Sequence, residues 1–229
     1  MDISVRDLEF SYRGTDGRFR LSIPELDIAP GQRIAVIGPS GSGKSTMLQL
    51  IAGILLPDRG TISVGSHQVS KLDDAGRRAF RIRHIGFIFQ DFELIDYLNV
   101  VENILLPYRL NPQLRLASED RLRARDLCQR LGLKGKETRT VTALSQGERQ
   151  RVAIGRALIH KPGLLLADEP TGNLDPANKH LMVDLLKEAA AHEETSLVMV
   201  THDHALLDGW DRILDFKDLI SSTPVAPAS

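Results

Sequence analysis

Short apolar runs separated by turns dominate the pattern of hydrophobic and polar positions along the chain. In the N-terminal part, runs typical of β-strands occupy 3–10, 19–28, 33–38 and 61–64. Later runs are apolar and rich in branched residues, as buried parallel strands are, and they occupy 84–89, 164–168 and 196–201. The pattern therefore predicts two kinds of sheet, with the parallel one built from the later runs and 33–38.

Helical periodicity follows two of these runs. After 33–38 and a glycine-rich turn, one face of a predicted helix carries Met47, Leu48, Ile51 and Leu55. A second amphipathic helix is predicted over 176–190, and its apolar side is formed by Leu181, Met182, Leu185, Leu186 and Ala189. Strands that alternate with helices predict an α/β fold with a core of mostly parallel sheet, preceded by an N-terminal antiparallel β subdomain.

The strand pattern stops between Asp91 and Leu144, where an inserted α-helical subdomain is predicted at about 91–145. Asn99 and Glu102 have the spacing of a capping box, so a helix is expected to begin there and to end near Pro107. A further helix is expected over 118–132. Its apolar face includes Cys128, which is expected to be buried filler rather than a reactive thiol.

Composition narrows the class of protein. The 229 residues carry a formal net charge of -1, which argues against bulk attraction to nucleic acid, and the one cysteine excludes an internal disulfide. The longest apolar stretch, 50–56, is far shorter than the ~20 residues that span a bilayer, and the start lacks a secretory pattern. We expect one domain over 1–220, a flexible tail over 221–229 and a cytoplasmic location.

A glycine-rich segment after the strand at 33–38 fits the phosphate-loop pattern GxxxxGKS. It consists of Gly38, Pro39, Ser40, Gly41, Ser42, Gly43, Lys44 and Ser45, followed by Thr46. Glycines let backbone N–H groups point at phosphate oxygens, and the start of the following helix adds positive potential. We expect Lys44 to reach the β and γ phosphates of a bound nucleotide and the Ser45 hydroxyl to bind Mg²⁺. The alternative is a glycine-rich turn with a structural helix cap.

Polar side chains also follow the other predicted parallel strands. Asp168 and Glu169 end the run 164–169, Gln90 follows 84–89, and His202 follows 196–201. Ligands bind at the carboxyl edge of such sheets. There Asp168 and the Gln90 amide could hold Mg²⁺, Glu169 could polarise an attacking water, and His202 could contact a γ phosphate. Taken singly, each residue could equally be a solvated strand end.

Two further helix starts are predicted from their capping residues. Ser145 and Glu148 form a capping box around Gly147, and Asp175 precedes a first-turn proline. A capped helix end near a glycine is also an anion site. At Ser145 the structural and the functional interpretation can hold together, whereas structure alone would explain Asp175 and its proline.

The order of these motifs over most of the chain resembles the ATP-binding subunit of ABC transporters. Tyr12, the phosphate loop, Gln90, LSQGE at 144–148, LLLADEP at 164–170, NLD at 173–175 and His202 occur in that order. The segments IGFIFQ and ADEPTGNLD most resemble those of the subfamily of lipoprotein-releasing, macrolide-exporting and cell-division ATPases. The resemblance implies the fold of phosphate-loop NTPases and an ATPase coupled to transport.

The resemblance also implies a head-to-tail homodimer that encloses two ATP molecules. Tyr12 would stack on adenine, Ser145 and Gly147 would reach the γ phosphate of the partner's ATP, and Asp175 would lie near the dimer seam. Glu169 would be the general base, with His202 at the γ phosphate. Gln90 would link hydrolysis to an integral membrane permease, which would hold the chain on the cytoplasmic face of the inner or plasma membrane. The expected docking surface is 92–98, where Phe92, Leu94, Ile95, Tyr97 and Leu98 look exposed.

The signature departs from the usual LSGGQ at two positions. Gln146 replaces a glycine, which would matter if the backbone there had a positive φ. Glu148 replaces a glutamine and adds a negative charge near a phosphate site. In the helix that follows, Gly155 costs about 1 kcal/mol relative to alanine, which close packing would explain.

Two other classes of protein remain as alternatives. A soluble ABC ATPase that acts on nucleic acid or ribosomes would use a basic patch of Arg77, Arg78, Arg81 and Arg83. A nucleotide sensor without turnover is disfavoured by the presence of both Glu169 and His202. No nucleic-acid partner is expected, since the arginines alternate with apolar residues as at a solvated edge.

Overall fold

Two β-sheets form the scaffold of the computed structural model, which describes residues 1–12, 19–111, 114–172 and 174–220. The antiparallel sheet contains β1 (Ile3–Ser11), β2 (Arg20–Ile28), β4 (Arg59–Val64) and β5 (His67–Gln68), in the order β2-β1-β4-β5. The parallel sheet contains β3 (Arg33–Ile37), β6 (Ile85–Ile88), β7 (Leu164–Asp168), β8 (Ser196–Thr201) and β9 (Arg212–Asp215), in the order β6-β7-β8-β3-β9. The predicted fold class is confirmed, while the tail at 221–229 and Asn173 lie outside the described residues.

Helices connect and cover these strands. They are α1 (Lys44–Ile51), α2 (Asp74–His84), α3 (Val100–Ile104), α4 (Leu106–Leu110), α5 (Ser118–Arg130), α6 (Gln146–Leu158), α7 (Pro176–His192) and α8 (Phe216–Leu219). The predicted capping boxes at Asn99 and Ser145 are both present, and Asp175 caps α7 by accepting from Asn178 N. In the described part of the chain, no helix combines the length and the apolar character that crossing a membrane requires.

The hydrophobic core is divided by the parallel sheet. One cluster joins the antiparallel sheet and α1 to one face, with Ile34, Val36 and Val198 among its members. The other packs the helices of the 91–145 insertion, α6 and α7 against the opposite face. Cys128 is fully buried there, and burial raises the pKa of its thiol to about 12, so its predicted filler role is confirmed.

Three helical predictions need correction. The helix expected to end near Pro107 is instead two short helices, because the chain turns at Leu105 and Pro107 then occupies the first turn of α4, where a proline is accepted. Leu181 was placed on the apolar side of α7, but it is 61% exposed. Helix α1 ends at Ile51, so Leu55 packs against the core from the following turn.

The segment after Gln90 was also predicted wrongly in part. Phe92 is only 8% exposed, whereas Tyr97 is 83% exposed. Phe92 has a φ of 63° and Glu93 a φ of 49°, and the guanidinium of Arg156 donates to the carbonyl oxygens of both. Because the chain folds back onto this arginine at the end of α6, the Phe92 ring points inward, and 92–98 is not a continuous apolar surface.

Gly86 in β6 is a position where only glycine fits. A Cβ there would lie 2.4 Å from Ala157 O, a backbone atom of α6, and 2.9 Å from Leu165 Cδ1. We expect Gly86→Ala to lower the free energy of unfolding by about 1–3 kcal/mol, because α6 and the sheet must separate. Urea denaturation measures this change.

Gly155→Ala provides the matched control for that prediction. Its Cβ would meet the ends of flexible side chains, Ile104 Cδ1 at 3.0 Å and Leu131 Cδ1 at 3.2 Å, which accounts for the glycine by close packing. Alanine there also gains about 1 kcal/mol of helix propensity, so its effect should be much smaller. Equal losses for the two variants would contradict the backbone clash at Gly86.

Candidate functional site

The phosphate loop connects β3, which lies between β8 and β9, to α1. Gly41 has a φ of 76° and Gly43 a φ of 109°, both in the left-handed region that favours glycine. At Gly43 a Cβ would also lie 3.0 Å from Phe19 Cζ. The glycines at these two positions thus permit the tight curl that directs the loop into the start of α1.

Two side chains of the loop have informative surroundings. The Lys44 side chain is buried, and Nζ donates to Gly38 O at 2.8 Å and to Pro39 O at 3.0 Å. Ser42 Oγ is buried without a hydrogen-bond partner among the described residues. A buried hydroxyl in that position needs a hydrogen-bond partner, and a phosphate oxygen of a ligand or a water molecule can supply one.

The sheet brings Asp168 next to the loop as predicted. Asp168 pairs with Val200 of β8, while Thr201 pairs with Ile37 of β3, so the three strands end together. Ser45 Oγ donates to Asp168 Oδ1 at 2.8 Å. Burial raises the pKa of Asp168 above its ordinary value, and the Ser45 hydrogen bond opposes that shift.

Glu169 lies between a lysine and a histidine. Its Oε1 is 3.7 Å from Lys44 Nζ, and its Oε2 is 2.8 Å from His202 Nδ1. Glu169 has a φ of 44°, which is unusual for a residue with a side chain, and its N–H donates to Val200 O. This left-handed conformation directs the Glu169 carboxylate away from the axis of β7 and toward the phosphate loop. The His202 side chain is half exposed.

Gln90 and Tyr12 lie at the margins of this site. Gln90 is exposed just beyond β6. Its Nε2 is 3.9 Å from the point where a Cβ would lie if Gly172, in the segment that follows Glu169, were replaced by alanine. Tyr12 follows β1, with its hydroxyl 3.1 Å from Thr46 Oγ1 and its ring beside Phe19. The two predicted residues therefore flank the loop and the carboxylates.

The signature segment forms the first turn of α6. Ser145 Oγ accepts from Glu148 N, and Glu148 Oε2 accepts from Ser145 N at 2.9 Å. Gln146 is the first helical residue and is not among the described residues with positive φ, so the side chain that replaces a glycine there causes no backbone strain. Lys136 Nζ bonds Glu148 Oε1, and this hydrogen bond lowers the pKa of Glu148. Sequence reasoning missed Lys136 because no local pattern links it to α6.

Together, the loop between β3 and α1, the Ser45–Asp168 contact and the Glu169–His202 pair define a phosphate-loop nucleoside triphosphatase. Residues 21–172 match the model of a family described as ABC transporter. The chain belongs to the ABC transporter family, and it is an ATP-binding, ATP-hydrolysing cassette of the kind that powers membrane transporters.

Curated relatives support the subfamily resemblance. The chain is 42% identical over 193 residues to the lipoprotein-releasing system ATP-binding protein LolD 1 of Rhodopirellula baltica, covering 84% of this chain and 83% of that protein. It is 39% identical over 217 residues to LolD of Pseudomonas fluorescens, covering 94% and 95%. Among solved structures, the dimeric post-hydrolysis state of the ATP-binding cassette MJ0796 bound to ADP and Pi has a TM-score of 0.80 and 32% identity, covering 92% of each chain.

Proposed function

We propose that the chain is the energy-coupling subunit of a membrane complex of the lipoprotein-releasing kind, in which ATP closes a dimer and hydrolysis reopens it. The observation that carries the proposal is the position of Glu169, 2.8 Å from His202 and 3.7 Å from Lys44, next to the Ser45–Asp168 contact. A carboxylate so placed can take a proton from water at the end of a bound triphosphate.

The phosphate loop would bind the triphosphate through its backbone N–H groups and Lys44. Ser45, Asp168 and Gln90 would hold Mg²⁺. A hydroxyl, one carboxylate and one amide are hard oxygen ligands, and such a set suits an ion that keeps waters and phosphate oxygens. The ion would neutralise charge that develops on the phosphates.

Dimerisation would complete each site. The first turn of α6 is capped internally and Ser145 is exposed, so its helix end is available to a phosphate of the partner's ATP. Ser145 and Gly147 would make that contact, and Asp175 at the exposed start of α7 would lie at the seam. The dimeric state of the MJ0796 cassette supports a dimer, which we propose to be head-to-tail.

Glu148→Gln is expected to tighten ATP-driven dimerisation about fivefold and to leave folding intact. One charge near a phosphate at the surface is worth about 1 kcal/mol, and the substitution also releases Lys136 from its ion pair. Sedimentation equilibrium in ATP, in a Glu169→Gln background that limits turnover, measures the dissociation constant. Lys136→Gln is the control and should weaken the dimer. An unchanged ATP dependence in Glu148→Gln would refute the electrostatic role.

A permease would dock at the groove beside the 91–145 insertion rather than on 92–98 alone. This groove has a volume of about 790 Å³ and lies between α2, the end of β6, α4 and the end of α6. Its lining combines apolar Ile82, Phe89, Ile95 and Leu110 with Arg78. Such a surface fits an amphipathic cytoplasmic segment, and it would hold the chain on the cytoplasmic face of the membrane.

The nucleic-acid alternative gains no support from the basic residues of α2. Arg77 and Arg78 pair with Asp74, and Arg81 donates to Gly53 O. Arg77 and Arg81 are thus partly buried, and only Arg78 and Arg83 of the predicted patch are fully at the surface.

The experiment for the proposed function measures phosphate release and molecular mass of the full chain with ATP. Release that requires Mg²⁺ and is abolished by EDTA, together with a doubling of mass under non-hydrolysing conditions, is the expected result. Purification of the native chain with its partners then identifies the membrane protein. Release that persists without divalent ions, or a mass that ATP does not change, would refute the proposal.

A further inference from the structure

The loop that carries His202 is anchored by the residue that follows it. Asp203 N donates to Thr201 Oγ1 at 3.0 Å, and its Oδ1 accepts from Ala205 N at 3.1 Å, which stabilises the turn after β8. Its other oxygen, Oδ2, accepts from Lys179 Nζ at 2.7 Å. The Asp203 carboxylate thus stabilises its own loop and links that loop to α7.

Lys179 lies in the first turn of α7, next to the helix cap. Its N–H donates to Asp175 O at 3.0 Å, and the Asp175 side chain accepts from Asn178. The Lys179–Asp203 pair is about three-quarters shielded from solvent, with side-chain exposures of 23% and 24%. Partial burial makes an ion pair a firmer restraint than one at the open surface.

These contacts form a closed ring around the reacting end of the site. The backbone connects Glu169 to Asp175, the N-cap of α7, and the first turn of α7 carries Lys179. Lys179 pairs with Asp203, and the neighbouring His202 contacts Glu169 at 2.8 Å. The ring has two non-covalent links beyond the helix, and the Lys179–Asp203 pair is one of them. Loss of this pair leaves the half-exposed His202 held to Glu169 by its own contact.

We propose that Lys179 is a positioning residue for ATP hydrolysis, because its ion pair with Asp203 holds His202 against Glu169 and fixes both to the start of α7. The inference rests on the proposed roles of Glu169 and His202. It adds a long-range restraint that links the surface expected at the dimer seam to the hydrolytic pair. The hydrogen bonds of Lys179 go to Asp175 O and to the Asp203 carboxylate, and neither group has a proposed role in the chemistry, so Lys179 would act through His202.

The test measures phosphate release by the full chain over a range of ATP concentrations at saturating Mg²⁺. Lys179→Met should lower kcat about tenfold with KM for ATP changed by less than about twofold, because misplacement slows chemistry without removing phosphate contacts. Asp203→Asn keeps a cap for Ala205 N and should give the same loss. Lys179→Arg retains the charge and should restore kcat. Glu188→Gln, exposed on the same helix, is the control and should behave as the wild type.

A double-mutant cycle separates positioning from general structural damage. In a His202→Ala background, Lys179→Met should cause no further loss, since its effect passes through that histidine. A wild-type kcat for Lys179→Met, a parallel rise in KM, failure of Lys179→Arg to restore activity, or full additivity with His202→Ala would each overturn the inference. If Glu169→Gln and His202→Ala themselves keep wild-type release, the proposed function fails instead.

Discussion

Replacing Glu169 with glutamine is expected to slow phosphate release at least about 100-fold while ATP binding persists, because a positioned general base contributes about 10²–10⁴ to the rate. Glutamine has the same length and cannot take the proton from water. Its amide oxygen can still accept from His202 at the position where Oε2 now lies, so the site should remain assembled. Phosphate release and ATP affinity, measured on the same preparation, separate chemistry from binding.

A control for this substitution must remove a carboxylate of the same type elsewhere. Glu188→Gln does so on the exposed side of α7 and should release phosphate at the wild-type rate. Equal rates in wild type and Glu169→Gln would refute the assignment of the base. That outcome would assign the proton acceptor to a different group of the site.

Lys44→Met is expected to weaken ATP binding about 100-fold. Charge-assisted hydrogen bonds contribute about 1.5–3 kcal/mol each, and the lysine would make such bonds to the β and γ phosphates. Methionine preserves much of the apolar stem, which matters because Lys44 is only 4% exposed. Calorimetric titration with a non-hydrolysable ATP analogue gives the dissociation constant.

The loop itself is the main concern in interpreting that variant. Lys44 Nζ now donates to Gly38 O and Pro39 O, so its removal leaves two carbonyls without that donor. Thermal unfolding of Lys44→Met therefore accompanies the titration. Lys71→Met, at an exposed position, is the matched control for loss of one positive charge. An unchanged dissociation constant in a folded Lys44→Met protein would contradict the phosphate-binding role.

The sequence was most informative where local pattern and chemistry coincide. The strands ending at Ile37, Asp168 and Thr201 could be predicted because each is a short apolar run. Their common edge then follows from parallel pairing, and the Ser45–Asp168 contact follows from that edge. The capping boxes at Asn99 and Ser145 could be predicted because their hydrogen bonds join residues three apart.

Features that depend on distant residues could not be predicted in this way. Helix α2 was not predicted because it is rich in arginine and buries one side chain, Phe80, so it lacks a clear apolar face in the sequence. The inward turn of Phe92 depends on Arg156, which lies 64 positions away. The Lys136–Glu148 and Lys179–Asp203 pairs likewise join segments whose proximity only the tertiary fold creates.

Helix α6 connects two parts of the site that lie far apart in the sequence, the signature turn and the end of β6 that leads to Gln90. Its 13 residues make a rod about 20 Å long, with the signature turn at one end. At the other end, Ala157 O lies so close to Gly86 that a Cβ on residue 86 would not fit. There Arg156 also donates hydrogen bonds to the carbonyl oxygens of Phe92 and Glu93, just beyond Gln90. In the proposed dimer, a displacement of the signature turn by a partner's nucleotide would therefore be transmitted along α6 to the strand that leads to Gln90.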